Sequence, residues 1–251
     1  MLICITESCH MGCSHCMDDA KPCDNHMSFE TFKDVVHFFN KYGMLEFIIT
    51  GGEPTDNPDF WYFLDYAAEN INPVNSHGYG HITVTTNGMN LVYDMILSTE
   101  KRFGKKVIFQ VTSVDKYYPI KIDLDNPVFK LSNVIVCTKL QSIYPMGRAR
   151  YNNIPWQSNG SKCFNLRSIM RQKKSLSKTI AILTSMAKFC TPQIDILGNI
   201  KLGESLLCPI ASNIYKTEEE IVNDICNFKC RGCDIINNNL SEEHLRAIGE
   251  K

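Results

Sequence analysis

Apolar positions change period several times along the chain, and the changes mark alternating elements. Residues 2–6 are a short apolar run of strand length. Ser28 then offers an N-cap with Glu30 in the first turn, and Phe29, Phe32, Val36 and Phe39 recur at helical spacing. A second run over 45–50 leads into Gly51-Gly52-Glu53-Pro54. Asn57-Pro58 predicts a cap and a first-turn proline ahead of the apolar face Phe60, Leu64, Ala67 and Ile71. Further strands are expected over 82–86, ending at Asn87-Gly88, and over 106–112 and 133–138, with a helix over about 91–102. Repeated β/α units imply parallel strands with helices outside. Continuous runs such as Phe47-Ile48-Ile49 and Val134-Ile135-Val136 predict a sheet covered on both faces. Ligands in such folds bind at the carboxyl ends of the strands, and Cys9, Gly51, Asn87 and Ser113 each follow or end a predicted strand.

Beyond residue 144 the pattern loosens into a connector. From about residue 180, Ile194-Asp195-Ile196 and Ile200-Lys201-Leu202 flank Gly198-Asn199 as a hairpin, and a cysteine-rich tail follows. The expected division is a core over 1–150, a connector over 151–180 and a smaller unit over 181–251.

With 26 Lys+Arg against 27 Asp+Glu, the net charge of -1 supplies no global field for nucleic acid or an anionic membrane. The basic run Arg167, Arg171, Lys173, Lys174 and Lys178 reads as a solvated helix face or a dock for an acidic peptide. No apolar run approaches the ~20 residues of a membrane span. The apolar start meets Glu7, Cys9 and His10 too soon for a signal peptide, so a cytoplasmic protein is expected. In that compartment twelve cysteines point to metal rather than to disulfides.

Cys9, Cys13 and Cys16 put three thiols on one short loop, with three and then two residues between them. Three ligands for a four-iron cluster leave one iron open to a substrate, whereas electron-transfer clusters are normally closed by four cysteines. A structural zinc site would want a fourth ligand, for which Cys23 is the local option. Cys4 and Cys137 lie in apolar strands and read as core residues.

The CxxxCxxC spacing after the first strand, with Gly51-Gly52-Glu53-Pro54 after the second, resembles the radical S-adenosylmethionine (SAM) superfamily over about residues 1–140. The resemblance implies a partial (β/α)6-type barrel in the α/β class. It also implies a [4Fe-4S] cluster on Cys9, Cys13 and Cys16 whose open iron binds SAM, with SAM contacts from His15, Gly51, Gly52 and Glu53. Asn87, Ser113 and Asp115 fall where the family contacts SAM's ribose and carboxylate, although Asn87 also suits a plain turn and Asp115 a cap. The implied chemistry is reductive cleavage of SAM to a 5′-deoxyadenosyl radical that abstracts a substrate hydrogen atom, with an electron donor such as flavodoxin or ferredoxin.

Cys190, Cys208, Cys230 and Cys233 resemble the ligand set of the Twitch domain, or of the longer SPASM domain, over about residues 181–235. Cys190, Gly203 and Cys208 fit the opening pattern CX9–15GX4C, although Gly198 is the better hairpin turn. This implies a small hairpin-plus-helix unit with one auxiliary [4Fe-4S] cluster; paired cysteines also suit zinc. Cys226 and Cys163 are reserve ligands. Arg148 and Arg150 resemble a Gly-Arg-Ala stretch suited to a substrate carboxylate, and exposed surface arginines are the alternative. Oxidative modification of a ribosomally made peptide is the expected function. Dehydrogenation of a small alcohol or sugar, activation of a glycyl radical enzyme, and a non-catalytic iron-sulfur or zinc protein are its rivals.

Overall fold

The structure is a computed structural model that describes residues 1–42, 46–71, 81–112, 116–137, 143–144, 146–155, 175–177, 191–203 and 205–228. Its elements are β1 (Leu2–Cys4), α1 (Phe29–Tyr42), β2 (Glu46–Thr50), α2 (Phe60–Asn70), β3 (His81–Thr86), α3 (Tyr93–Phe103), β4 (Val107–Val111), β5 (Val134–Val136), α4 (Gly147–Tyr151), β6 (Pro192–Ile194), β7 (Asn199–Leu202), β8 (Ile210–Asn213) and α5 (Glu218–Asn227). One eight-stranded sheet runs in the order β5-β4-β3-β2-β1-β6-β7-β8. The first five strands pair in parallel as sequential neighbours, and β6 pairs in parallel with β1. The sixth parallel strand therefore comes from the predicted hairpin, which carries the sheet on into antiparallel β7 and β8.

Because β1 to β5 are laid down in order, right-handed crossovers put the intervening helices on one face. Phe47, Ile49, Ile82, Val84, Val107, Phe109 and Val111 are buried in that core. Phe32 of α1 stacks on Phe63 of α2 at 4.5 Å and meets Phe47 edge-on at 6.0 Å. Cover on the face away from the helices is less complete: Cys4 and Thr83 there are buried, Ile48 is only partly buried, and Ile135 on the edge strand is 51% exposed. Pairing registers Ile48, Thr83 and Ile108 across the sheet, and Thr85, Gln110 and Ile135 likewise. The face away from the helices thus mixes polar and apolar side chains, which apolar runs alone do not reveal.

Ser28 caps α1 as expected, its Oγ accepting from Thr31 N at 3.1 Å. Asn57 does not cap α2, whose N-cap is Asp59. Asn57 instead donates from Nδ2 to Ile5 O at 2.9 Å, tying the start of α2 to the end of β1. The hairpin turn is built by Asp195, whose Oδ1 accepts from Leu197 N and Asn199 N at 3.0 Å each, with Gly198 at φ +78°. Strand β8 is not expected from its sequence, which is short and polar; pairing with β7 defines it. Among the described residues no helix is long and apolar enough to cross a membrane.

Candidate active site at the first cysteine loop

The loop after β1 is closed at its neck by backbone bonds. Glu7 N donates to Asn25 O at 3.0 Å, Cys9 N to Lys21 O at 3.2 Å, and Met27 N to Ile5 O at 2.9 Å. Within it Cys9, Cys13 and Cys16 share a cluster with Met11, Ala20 and Tyr118, and Cys9 and Cys13 are 8% and 9% exposed. Burial pushes the Cys9 thiol up to about 11 and the Cys13 thiol up to about 12, and the neighbouring thiols oppose ionisation further. Ionising these two buried thiols at neutral pH requires a strongly positive partner, and the irons of a cluster would provide one. Among the described residues no three His, Cys, Asp or Glu side chains gather around a single ion position. The chemistry of the donor set, three thiols on one loop, fits an iron-sulfur cluster, with Cys9, Cys13 and Cys16 as its holders.

The Gly51-Gly52-Glu53 turn leans on this loop. Gly52 N donates to Thr6 O at 2.8 Å and Glu53 N to Ser8 O at 2.7 Å. A Cβ on Gly51 would overlap Thr6 O, and one on Gly52 would overlap Ser8 O. Close approach is the expected reason for these glycines, and the approach seen is to the backbone of the cysteine loop itself.

Glu53 is 2% exposed and joins three segments. Oε1 accepts from Thr55 Oγ1 at 2.7 Å and Thr86 Oγ1 at 2.6 Å, and Oε2 from Asn87 N at 2.7 Å. Burial pushes its carboxyl above the usual range, and these donors pull it back. Glu53→Gln replaces an accepting oxygen by a donating NH2 among donors. The expected cost is about 2 kcal/mol, a melting temperature lower by about 4–8 °C. Thermal unfolding of the iron-free protein checks this, and an unchanged midpoint would refute the tie.

Asn87 is buried at the carboxyl end of β3, its Oδ1 accepting from Met89 N at 2.9 Å. The structure therefore brings the cysteine loop, Gly51, Gly52, Glu53 and Asn87 to one edge. His15 packs against Tyr117 and Tyr118 with ring centroids 5.4 and 5.0 Å apart. Ser113, Asp115, Cys163, Cys190, Cys230 and Cys233 lie outside the described residues, as do the basic residues from Arg167 to Lys174 and Lys178. Cys4 is fully buried, as a core residue should be. Cys226 on α5 packs against the main core. Cys208 closes a turn in which Leu206 N donates to Asp18 Oδ1 at 2.7 Å, linking that segment to the chain just past Cys16.

Several loop partners are not legible in the sequence. His10 donates from its backbone N to Asp56 Oδ2 at 3.2 Å, and its Nδ1 lies 2.7 Å from the same oxygen. Asn90 Nδ2 donates to Asp56 Oδ1 at 3.0 Å. From the β4 side Tyr117 O accepts from Ser14 N at 3.1 Å. Arg148, expected at a substrate carboxylate or on the surface, instead donates from Nε to Cys13 O at 2.8 Å, while Arg150 is exposed. The only sequence signal for these contacts is a concentration of polar residues near the loops.

Residues 3–123 match the Radical SAM superfamily. The GTP 3′,8-cyclase of Haemophilus influenzae (strain 86-028NP) is 29% identical over 135 residues, covering 48% of this chain and 38% of the cyclase. The mycofactocin maturase MftC of Mycobacterium tuberculosis (strain H37Rv) is 26% identical over 132 residues, covering 52% of this chain and 28% of the maturase. The chain thus spans well under two thirds of either relative. Among solved structures, BtrN in complex with AdoMet and 2-DOIA aligns with a TM-score of 0.57 at 13% identity, over 99% of this chain and 89% of BtrN. Streptococcus suis SuiB bound to precursor peptide SuiA aligns with a TM-score of 0.54 at 13% identity, over 93% of this chain and 67% of SuiB. At such identities the likeness is one of fold. A partly buried three-cysteine loop, a glycine turn packed on its backbone and a parallel sheet agree with the match of residues 3–123 to the Radical SAM superfamily, a family that implies SAM and a [4Fe-4S] cluster.

Proposed function

We propose that this protein cleaves SAM reductively and uses the product to remove a hydrogen atom from a peptide substrate in an oxidative modification. The observation that carries the first half is the three-thiol loop with the Gly51–Glu53 turn bonded to its backbone. When bound, SAM on a reduced open-site cluster supplies a carbon-centred radical, with the electron delivered by a donor of flavodoxin or ferredoxin type. The chain's part is to hold Cys9, Cys13 and Cys16 in a loop shielded from water, which limits side reactions. Glu53 keeps the ends of β2 and β3 together beneath it. Gly51, Gly52, Glu53, His15, Asn87, Ser113 and Asp115 are the proposed SAM contacts.

The peptide substrate is supported by the names of a maturase relative and of a neighbour bound to a precursor peptide. Thr85 and Gln110, half-buried neighbours on the sheet face away from the helices, would offer hydrogen-bonding groups to such a substrate. A second reading, dehydrogenation of a small alcohol or sugar, is kept beside it: BtrN, solved with AdoMet and 2-DOIA, aligns over 99% of this chain, a fold argument alone. The domain division at 150 and 180 is kept in this reading. Cys190, Cys208, Cys230 and Cys233 are proposed as the residues that would hold an auxiliary [4Fe-4S] cluster, which would supply an acceptor for the electron left when the substrate, having lost a hydrogen atom, releases a proton.

Anaerobic reconstitution is expected to load about eight irons per chain and, with SAM and dithionite, to release 5′-deoxyadenosine. About four irons would remove the auxiliary cluster. Iron-loaded protein that releases no 5′-deoxyadenosine would overturn the reading as a whole. Replacing Cys230 and Cys233 together should leave some uncoupled SAM cleavage while suppressing substrate product.

A further inference from the structure

The short helix α4 is docked on the cysteine loop rather than on the sheet. Its first residue, Gly147, sits at φ +49°, and a Cβ there would come within 2.5 Å of Met17 O and 2.8 Å of Asp19 N. Arg148 N donates to Cys16 O at 2.8 Å, and Asn152 Nδ2 donates to Ser14 O at 2.8 Å. The Arg148 guanidinium continues the series: Nε donates to Cys13 O at 2.8 Å, while Nη1 donates to Ala20 O at 2.7 Å and to Asp19 Oδ1 at 3.1 Å. Four loop carbonyls are thus held from one turn of helix, two of them belonging to predicted iron ligands.

The third guanidinium nitrogen breaks the pattern. Nη2 is buried and has no acceptor among the described residues, although the side chain is only 17% exposed. A buried donor left unmade costs about 1–3 kcal/mol, more for a charged group. Such an atom is expected to find its acceptor in a group outside the described residues. The local charge is mixed: Asp19 is shared between Arg148 and Lys21, the latter at 3.0 Å, and the buried Asp18 carboxyl also interacts with Arg148.

We propose that Arg148 is a positioning residue for the first iron-sulfur cluster, holding the loop at Cys13 and Cys16 and offering Nη2 to the cluster's anionic sulfur. This rests on the reading that Cys9, Cys13 and Cys16 carry a cluster. A cluster with three thiolates becomes more negative on reduction, so a fixed neighbouring cation favours the reduced state, and hydrogen bonds to sulfur act in the same direction. Arg148 thereby eases delivery of the electron that SAM cleavage needs, without touching the substrate.

The test compares wild type with Arg148→Gln and Arg148→Lys. The EPR signal that changes on adding SAM identifies the first cluster, and its midpoint is read by redox titration before SAM is added. Arg148→Gln is expected to lower the reduced-to-oxidised ratio about tenfold at fixed potential, about 59 mV for one electron. In iron-free protein the same variant is expected to speed amide exchange over residues 9–20. Arg148→Lys should recover much of the potential but not the exchange protection, because an ammonium lacks the planar fork. A wild-type midpoint and wild-type exchange in Arg148→Gln would overturn the proposal. So would an unchanged midpoint with weakened SAM binding, which would make SAM's carboxylate the acceptor. If wild type itself takes up no iron, the functional reading falls and the cluster role with it, whatever the exchange data show of the strap.

Discussion

Replacing Cys9, Cys13 and Cys16 together with alanine is expected to abolish 5′-deoxyadenosine release and to remove about four irons per chain. The polypeptide should stay folded, because the loop is closed by backbone bonds at Glu7, Cys9 and Met27 that use no thiol. Losing three small sulfur groups from a partly buried loop costs roughly 1 kcal/mol each, small beside the eight-stranded sheet and its aromatic core. Activity and stability are therefore expected to separate. Iron analysis, circular dichroism and a 5′-deoxyadenosine assay under dithionite give the three readouts. Release at the wild-type rate from the folded triple variant would end the radical SAM reading. Each single variant should be nearly as inactive as the triple one, since losing any one ligand disables the same cluster.

Gly52→Ala is expected to have the next largest effect. The added Cβ would overlap Ser8 O and lie 2.6 Å from Ser8 C and 2.9 Å from Glu7 O. All three are backbone atoms, so no rotamer change relieves the clash. The loop must move by roughly 1 Å, which weakens the bonds from Gly52 N to Thr6 O and from Glu53 N to Ser8 O. An overall cost of about 3 kcal/mol follows, lowering the melting temperature of the iron-free protein by about 6–12 °C. Iron retention should fall too, because the displaced segment leads directly into Cys9. Gly12→Ala in the same loop is the control. Gly12 has φ +68° but no atom within 4 Å of an added methyl, so only the backbone conformation is penalised, at about 1 kcal/mol. Equal destabilisation by the two substitutions would show that close packing on the loop is not what Gly52 provides.

Much of the architecture is readable in the chain because periodicity and punctuation are local properties. The sequential β/α order, the cap at Ser28 and the hairpin turn at Gly198 each depend on residues a few positions apart. The candidate site is legible for the same reason: Cys9, Cys13 and Cys16 lie within eight residues, and Gly51, Gly52 and Glu53 are consecutive. What stays hidden depends on distant segments meeting. Asn57 reads as a helix cap, yet its amide reaches Ile5, fifty-two residues earlier in the chain. Arg148 reads as a surface or substrate group, yet it bonds to Cys13 across a separation of 135 residues. The partial burial of Ile48 and the exposure of Ile135 escape because an apolar run cannot say on which side helices will settle. The sequence by itself determined the types and order of most elements, β8 and α4 excepted, and the thiols available to iron, since these follow from local spacing. Only the tertiary structure decided which backbone the glycine turn packs against, what Glu53 joins and how α4 grips the cysteine loop, because those contacts are made by chain closure between elements whose pairing no local pattern encodes.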